Sequence, residues 1–361
     1  MPSHGLTRRR VVGLVVFVLA ALAFLYLGLP KLVGLGATVK RLRDGDPWWL
    51  AVAALLEVAS FYSYVALFRS VFVRRNRLIG WSVSYQITLA GLVATRLLAA
   101  AGAGGVALTA WALRRSGMSP RTVVARMVTF LVLLYGVYMA ALVIGGLGLY
   151  LGLWPGRAPF AITVIPAIFG AAVIAIVGAA ALLPSNFEKL VSRWASGLHH
   201  ASRLKPIAVR IAAIPASIAV GVRGAIALTR EGEVALLGAV GWWGFDIACL
   251  WASFHAFGAS PDKGVIVMAY FVGWIANLLP LPGGIGGVEG GLIGAFSAFG
   301  VPVAESVVAV LAYRAFSFWL PIAPGAVAYF QLRHTISGWR EQGIGDGESA
   351  DADLSGAPSY S

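Results

Sequence analysis

Long apolar stretches separated by short polar ones make up most of this chain. A helix that crosses a bilayer needs about 20 mostly apolar residues. Six stretches meet that requirement, near residues 11–30, 48–68, 122–153, 159–183, 234–258 and 303–332. The pattern predicts an all-α fold, a polytopic bundle of membrane helices, in a single transmembrane domain over residues 1–340.

Two further apolar segments are centred on glycine-rich runs. The segment near 78–113 contains AAAGAGG at 99–105, and the segment near 264–300 contains PLPGGIGG at 280–287. Irregular backbone at membrane depth is tolerated only where it is buried in protein or lines a cavity. We therefore expect each segment to form a re-entrant or broken-helix hairpin.

The basic residues predict which ends of the helices face the cytoplasm. Arg and Lys are densest at 8–10, 69–77 and 114–121, and such clusters lie on the cytoplasmic side of short loops. Both ends of the first hairpin are then cytoplasmic and both ends of the second are external. The chain is predicted to lie in a plasma (inner) membrane with both termini in the cytoplasm.

The two hairpins also resemble each other in sequence. LLAAAGAGGV at 97–106 aligns with LLPLPGGIGGV at 278–288 with a single gap. Opposite orientations would make them inverted repeats, an arrangement found in transporters whose substrate site lies near the bilayer midplane. The alternative is that the glycines only let helices approach closely.

Two other segments are expected outside the hydrocarbon core. The basic segment 186–230 is predicted to lie at the cytoplasmic interface; if 207–228 crosses the membrane instead, the inverted topology fails. Residues 341–361 carry several acids among Gly, Ser and Ala. They hold too little apolar material to fold and are expected to form a disordered cytoplasmic tail.

Composition narrows the classes of function. The chain is 59% hydrophobic and 12% charged, against about 25% charged in soluble domains, so a water-soluble globule is excluded. The net charge of +13 arises between the spans, and nucleic acid is not an expected partner. The single cysteine, Cys249, lies in an apolar stretch, which argues against a disulfide framework. No metal or cofactor motif is found, so no cofactor is expected.

Five ionisable residues fall within the apolar segments: Glu57, Arg96, Asp246, Glu289 and Arg314. Each costs about 2.5 to 3.5 kcal/mol at mid-bilayer on insertion scales, so these side chains must pair or face water. Glu289 with Arg314 is the favoured pair. It is either a purely structural salt bridge or part of a functional site. A further alternative is that Glu289 only stabilises the positive end of a helix that starts after GGIGG.

The functional interpretation is a phosphate-sized anion site. Backbone N–H groups at Gly286, Gly287 and Val288, together with Arg96 and Arg314, supply its donors. Asp246 and Glu289 tune this site or alternate with its ligand. The candidate substrate-binding residues are Arg96, Gly104, Gly105, Asp246, Gly283, Gly284, Gly286, Gly287, Glu289 and Arg314.

Two motifs carry a resemblance to a known family. NLLPLPGGIGGVEGGLIGAFSAFGVP at 277–302 and AYRAFSFWLPIAPG at 312–325 are similar to the transmembrane domain of lysylphosphatidylglycerol synthases, a flippase-like family of membrane proteins. In members implicated in lipid resistance, this domain is joined to a soluble aminoacyltransferase that makes the lipid. The resemblance implies the translocating part without the synthesising part, and hence no enzymatic activity.

The expected function is translocation of a phospholipid or of a polyprenyl-phosphate-linked lipid. The expected partners are membrane lipids with anionic or phosphate-bearing head groups, together with a separate lipid-modifying enzyme; the oligomeric state is left open. Two alternatives stay open. One is a membrane-embedded glycosyl or aminoacyl transferase that uses Asp44 and Asp46. The other is an accessory protein or small-solute transporter whose buried charges serve packing or ion coupling.

Overall fold

The computed structural model describes most of the chain between Asp44 and Ile344. The described residues are 44–73, 78–97, 103–182, 205–231, 234–278, 284–342 and 344. The first predicted span, 11–30, the segment 186–204 and most of the tail lie outside them. Within these ranges the chain is helical and contains no strand.

The helices follow the apolar stretches closely. In chain order they are α1 Pro47–Phe72, α2 Trp81–Leu97, α3 Ala103–Arg115, α4 Pro120–Tyr150, α5 Phe160–Ala181, α6 Lys205–Arg230, α7 Ala235–Ala256, α8 Lys263–Trp274, α9 Gly287–Ala298, α10 Val303–Arg314 and α11 Ile322–Glu341. Helices long and apolar enough to cross a membrane lie over five of the six predicted spans.

Local sequence signals set the starts of two long helices. The Asp46 side chain accepts a hydrogen bond from the Trp48 backbone N–H at 2.9 Å, and Pro47 occupies the first position of α1. Ser119 accepts from the Thr122 N–H at 3.3 Å ahead of Pro120 in α4. A polar cap followed by proline satisfies one unpaired N–H and removes another.

Helices α1 and α7 form the antiparallel centre of the bundle. A Cβ on Gly238 would lie 2.8 Å from the Leu67 backbone nitrogen. Near the other end of the pair, the Asp46 N–H donates to the Ala256 carbonyl at 2.8 Å. Glycine at the crossing lets the two backbones touch, and the contact runs along the full length of both helices.

The loops gather at two ends of the bundle. At one end Gly300 packs on the Arg157 side chain, close to the loop after α7. At the other end Arg126 Nη1 donates to the Phe72 carbonyl at 2.5 Å, and Arg223 Nη1 donates to the Ala181 carbonyl at 3.2 Å. Which end faces the cytoplasm stays a prediction.

Each predicted hairpin contains two short helices that pack through glycine. In α2 and α3, a Cβ on Gly105 would lie 2.6 Å from the Gly91 carbonyl oxygen. In α8 and α9, a Cβ on Gly291 would lie 2.4 Å from the Gly273 carbonyl oxygen. The glycine runs at 98–102 and 279–283 lie outside the described residues, so the hairpin turns and the inverted relation stay predictions.

The two pairs start from opposite ends of the bundle. Helix α2 starts beside the end of α1, where Arg69 Cζ lies 4.2 Å from the centre of the Trp81 ring. Helix α8 starts beside the end of α4, where a Cβ on Gly264 would lie 3.0 Å from Leu149 Cδ2. Because the start of α4 contacts the end of α1, these two sites lie at opposite ends.

The last span, expected as one helix over 303–332, is two helices joined by a π-helical segment, Ala315–Trp319. The Leu320 N–H bonds the Ala315 carbonyl, five residues back. Pro321 has no N–H with which to continue the regular pattern. Helix α11 then runs to Glu341, beyond the predicted end. The correction matters because the break lies directly after Arg314.

The basic segment forms a helix in its second part. Helix α6 packs against α4, with Gly221 on Val128 and Gly224 on Thr129. It is not among the described helices that are long and apolar enough to span a membrane. Its predicted position at the cytoplasmic interface stays a prediction.

Candidate functional site

A carboxyl pair lies in the middle of the α1–α7 interface. Glu57 on α1 and Asp246 on α7 are 1% and 4% exposed. Ser60 Oγ on α1 donates to the Trp242 carbonyl on α7 at 2.8 Å, one turn along each helix from the two acids, so the carboxyls of Glu57 and Asp246 lie opposite each other. Cys249, one turn along α7 from Asp246, is also buried. The antiparallel packing of α1 and α7 brings these groups together at the middle of both helices.

Two tyrosines hold one oxygen of Asp246. The Tyr270 hydroxyl donates to Asp246 Oδ2 in a short hydrogen bond, and the Tyr313 hydroxyl donates to the same oxygen at 2.9 Å. Trp274 Nε1 in turn donates to the Tyr313 hydroxyl at 3.3 Å. Helices α7, α8 and α10 therefore meet in one buried polar network.

The predicted pair of Glu289 and Arg314 is present. Arg314 Nε donates to Glu289 Oε1 at 2.7 Å, and both side chains are almost fully buried. The other oxygen, Oε2, accepts from the Gly286 backbone N–H at 2.7 Å at the start of α9. The carboxylate thus neutralises Arg314 and also stabilises the start of α9. The sequence left the ion pair and the helix-start role of Glu289 as alternatives, and the structure contains both.

Arg96, at the inner end of α2, reaches the π-helical break. Its Nη1 donates to the Phe318 carbonyl at 2.9 Å. The guanidinium carbon lies 5.5 Å from the centre of the Phe318 ring, and that of Arg314 lies 4.7 Å from the same ring. One aromatic ring therefore lies against both arginines, the half-buried Arg96 and the buried Arg314, an arrangement that cation–π attraction favours.

Several buried polar atoms in this region have no hydrogen-bond partner among the described residues. They include one guanidinium nitrogen, Arg314 Nη2, and one oxygen on each carboxyl of the central pair, Glu57 Oε2 and Asp246 Oδ1. Buried polar groups are nearly always satisfied, so unsatisfied ones mark places where a proton, water or ligand is expected. Arg314 Nη2 can therefore donate a further hydrogen bond, and Glu57 Oε2 and Asp246 Oδ1 can each accept one.

The predicted glycines play different parts. Gly284 and Gly286 have positive φ, of 68° and 81°, which L-residues with a side chain rarely adopt. Gly105 is a packing residue, since a Cβ there would lie 2.2 Å from Thr95 Oγ1. Gly104 is buried beside it on α3. Gly287 is the first residue of α9.

The structure corrects part of the predicted anion site. Gly283 lies outside the described residues, so its part in the site stays a prediction. The Gly286 N–H, expected to bind an anion, is occupied by Glu289. Arg96 and Arg314 both lie against the Phe318 ring, and the anion site itself stays a prediction.

Three residues of the network were not among the predicted site residues. Glu57 carries a signal in the sequence, because it is an acid within an apolar stretch. Tyr270 and Tyr313 carry no comparable signal, since tyrosine is common in membrane helices. Only the packing of α8 and α10 against α7 turns their hydroxyls toward Asp246.

The acidic motif of the transferase alternative lies directly before the start of α1. Asp46 caps that helix, and Asp44 is exposed. Among the described residues, no group of three or more His, Cys, Asp or Glu side chains is arranged to hold a metal ion. A cavity of about 520 Å³ lies at the end of the bundle that is predicted to be external, and we call it the outer cavity. It is lined by Arg157, Asp262 and Glu305 among others, and none of its lining residues belongs to the buried network.

Comparison with known proteins agrees with this architecture. The model of the family described as "Lysylphosphatidylglycerol synthase TM region" matches residues 10–325. Two curated relatives, each named "UPF0104 membrane protein" from Methanothermobacter thermautotrophicus, are 34% identical over 90 residues and 30% identical over 115 residues. These alignments cover 25% and 30% of this chain, and 26% and 34% of the relatives.

This chain covers about a third or less of the length of these relatives, so they assign no particular activity to it. The family model, in contrast, spans nearly all of the described helices. Together with the five long apolar helices, it makes the protein a multi-pass membrane protein. The chain belongs to the family of the lysylphosphatidylglycerol synthase transmembrane region.

Proposed function

We propose that this protein is a flippase-like translocase. It moves a phospholipid or a polyprenyl-phosphate-linked lipid across the plasma membrane and has no catalytic step of its own. The observation that carries the proposal is the pair of arginines on Phe318, of which Arg314 is buried and Arg96 is half-buried. Arg314 keeps one guanidinium nitrogen without a partner among the described residues.

The chemistry of the two arginines favours a phosphate group. Arginine binds phosphate oxygens through several N–H groups at once. Arg314 is neutralised by Glu289, whereas the described hydrogen bond of Arg96 goes to a neutral carbonyl. An anionic head group can therefore approach Arg96 and the free nitrogen of Arg314 without displacing an ion pair.

The position of the network supports transport over simple binding. The inner ends of α2 and α8, which start from opposite ends of the bundle, both reach it through Arg96 and Trp274. A head group bound at this depth crosses the centre of the bilayer in contact with protein, where its exposure to lipid would cost the most free energy, while the acyl chains stay in lipid. The name of the family refers to a phosphate-bearing lipid, and a separate enzyme is proposed to modify it.

Reconstitution tests the proposal directly. Vesicles of phosphatidylcholine and phosphatidylglycerol, with and without the purified protein, carry a fluorescent NBD-labelled phosphatidylglycerol. A membrane-impermeant reductant then quenches only the outer leaflet. The proposal predicts that the protein raises the fraction that can be quenched, and raises it more for phosphatidylglycerol than for phosphatidylcholine. Equal leaflet exchange in empty and protein-containing vesicles, repeated with a polyprenyl phosphate, would contradict it.

A further inference from the structure

We infer that Glu57 and Asp246 share a proton and take up a second one when an anionic head group occupies the neighbouring arginines. The first statement concerns the protein alone. The second rests on the proposed function, because it needs the head group to enter the network. The two parts are tested by separate measurements below.

The geometry of the pair requires a proton. An ionised carboxylate only accepts hydrogen bonds, and two carboxylates that face each other in a buried site repel, so a proton on one of them is needed for the two to stay together. Both side chains are buried, and each keeps one oxygen without a donor among the described residues. A single shared proton satisfies this deficit.

The surrounding groups decide where the proton resides. Tyr270 from α8 and Tyr313 from α10 both donate to Asp246 Oδ2, which stabilises the ionised form of Asp246. Glu57 receives no such pair of hydroxyl donors; its neighbour on α7 is the Cys249 thiol. The proton of the resting pair therefore belongs mainly to Glu57, which donates to Asp246.

Two arginines complete the electrostatic surroundings of the pair. Arg96 from α2 lies close enough to both carboxyls to interact with them, and Arg314 from α10 lies close enough to Asp246. Glu289 neutralises Arg314. With one shared proton on the carboxyl pair, the five buried ionisable residues carry no net charge.

An anionic head group upsets this balance. Its negative charge gives the network a net charge of −1, and an uncompensated buried charge is costly in free energy. Protonation of Asp246 restores neutrality without rearranging the helices. Uptake of one proton with the head group, and its release on the other side, links lipid movement to a proton gradient.

A proton fits this place better than a metal cation. The two tyrosine hydroxyls already occupy Asp246 Oδ2 as donors. In the described part of the chain this pair and Cys249 are not arranged to hold a metal ion. Buried acids in membrane transporters commonly act as proton carriers.

Infrared spectroscopy of the purified protein tests the shared proton without any lipid substrate. A protonated carboxylic acid has a C=O stretching band separate from those of carboxylates and amides. We expect that band at neutral pH in the unsubstituted protein, and its loss in both Glu57→Gln and Asp246→Asn. Glu305→Gln, which alters an acid at the outer cavity, is the matched control and keeps the band.

The spectrum of the unsubstituted protein tests the shared proton even where a variant fails to fold. Absence of the band from its spectrum at neutral pH overturns the shared proton. A band that survives in folded Glu57→Gln and Asp246→Asn overturns its assignment to this pair.

The coupling is tested with NBD-labelled phosphatidylglycerol in vesicles that carry an imposed pH gradient. We expect the gradient to change the rate of lipid movement by up to about tenfold per pH unit, and Glu57→Gln to remove this dependence. Lipid movement that ignores the gradient overturns the coupling and leaves the proposed function intact. A protonated pair in a protein that moves no lipid contradicts both the proposed function and the coupling, but supports the shared proton.

Discussion

Each charged side chain at the centre of this protein is held by groups from another helix. Glu289 at the start of α9 binds Arg314 at the end of α10. Asp246 on α7 binds hydroxyls from α8 and α10. A buried charge that loses its partner keeps the full cost of its removal from water, so single substitutions here act on stability as well as on transport.

Substituting Glu289 separates its two roles. In Glu289→Gln, the amide oxygen can still accept from the Gly286 N–H, but Arg314 is left without a negative partner. Removing one member of a buried pair costs roughly 3–5 kcal/mol, so we expect a clear fall in the thermal unfolding temperature in detergent. Adding Arg314→Gln to Glu289→Gln should recover part of the loss.

The control for this experiment is Glu305→Gln, on the first turn of α10 and partly exposed. Its unfolding temperature should stay near that of the unsubstituted protein. If Glu289→Gln is as stable as this control, the pair does not stabilise the fold.

At the scale of the helices, packing depends on glycines that let two backbones approach closely. In α9, a Cβ on Gly291 would lie 2.4 Å from the Gly273 carbonyl oxygen on α8, whereas nothing lies within 4 Å of a Cβ on Gly294. The two positions sit on the same helix, three residues apart. They provide a matched pair for testing the close contact of α8 and α9.

We expect Gly291→Ala to lower stability and Gly294→Ala to leave it unchanged or raise it by up to about 1 kcal/mol. The first forces a methyl group into a backbone contact, and the second replaces glycine with the best helix former. Thermal unfolding of both variants, followed by size-exclusion chromatography, measures the difference. Equal stability of the two would show that α8 and α9 are free to separate.

The elements could largely be predicted from apolar stretches, but their contacts could not. Length and hydropathy locate α1, α4, α5 and α7 to within a few residues. The break after Arg314 was missed because Ala315–Trp319 is as apolar as the helices on either side. Glu289 could be paired with Arg314 because few charges are available within the spans. The link between Glu57 and Asp246 depends on the register of two antiparallel helices, which single-sequence patterns do not encode.

At the scale of the whole molecule, the loops divide between two ends of the bundle. The loops after α4, α7 and α9 surround the outer cavity. Helix α11 ends near the start of α2, where Thr335 Oγ1 donates to Gln86 Oε1 at 3.1 Å. The positive-inside rule assigns this second end to the cytoplasm.

Cysteine labelling tests that assignment. Cys249 is fully buried, so a cysteine placed on an exposed loop should be the main site of reaction. Ser260→Cys at the outer cavity is expected to react with a membrane-impermeant maleimide in intact cells. Ser337→Cys near the end of α11 should react only after the membrane is permeabilised. Labelling of both from the same side would contradict the topology.

The central claim is that Arg96 and Arg314 bind the head group, and one comparison tests it most directly. Movement of NBD-labelled phosphatidylglycerol is measured in vesicles with equal amounts of folded Arg96→Gln, unsubstituted protein and Arg333→Gln, an exposed arginine on α11. We predict at least about a tenfold slower rate for Arg96→Gln, equivalent to about 1.4 kcal/mol, and an unchanged rate for Arg333→Gln. An unchanged rate in Arg96→Gln would contradict the account.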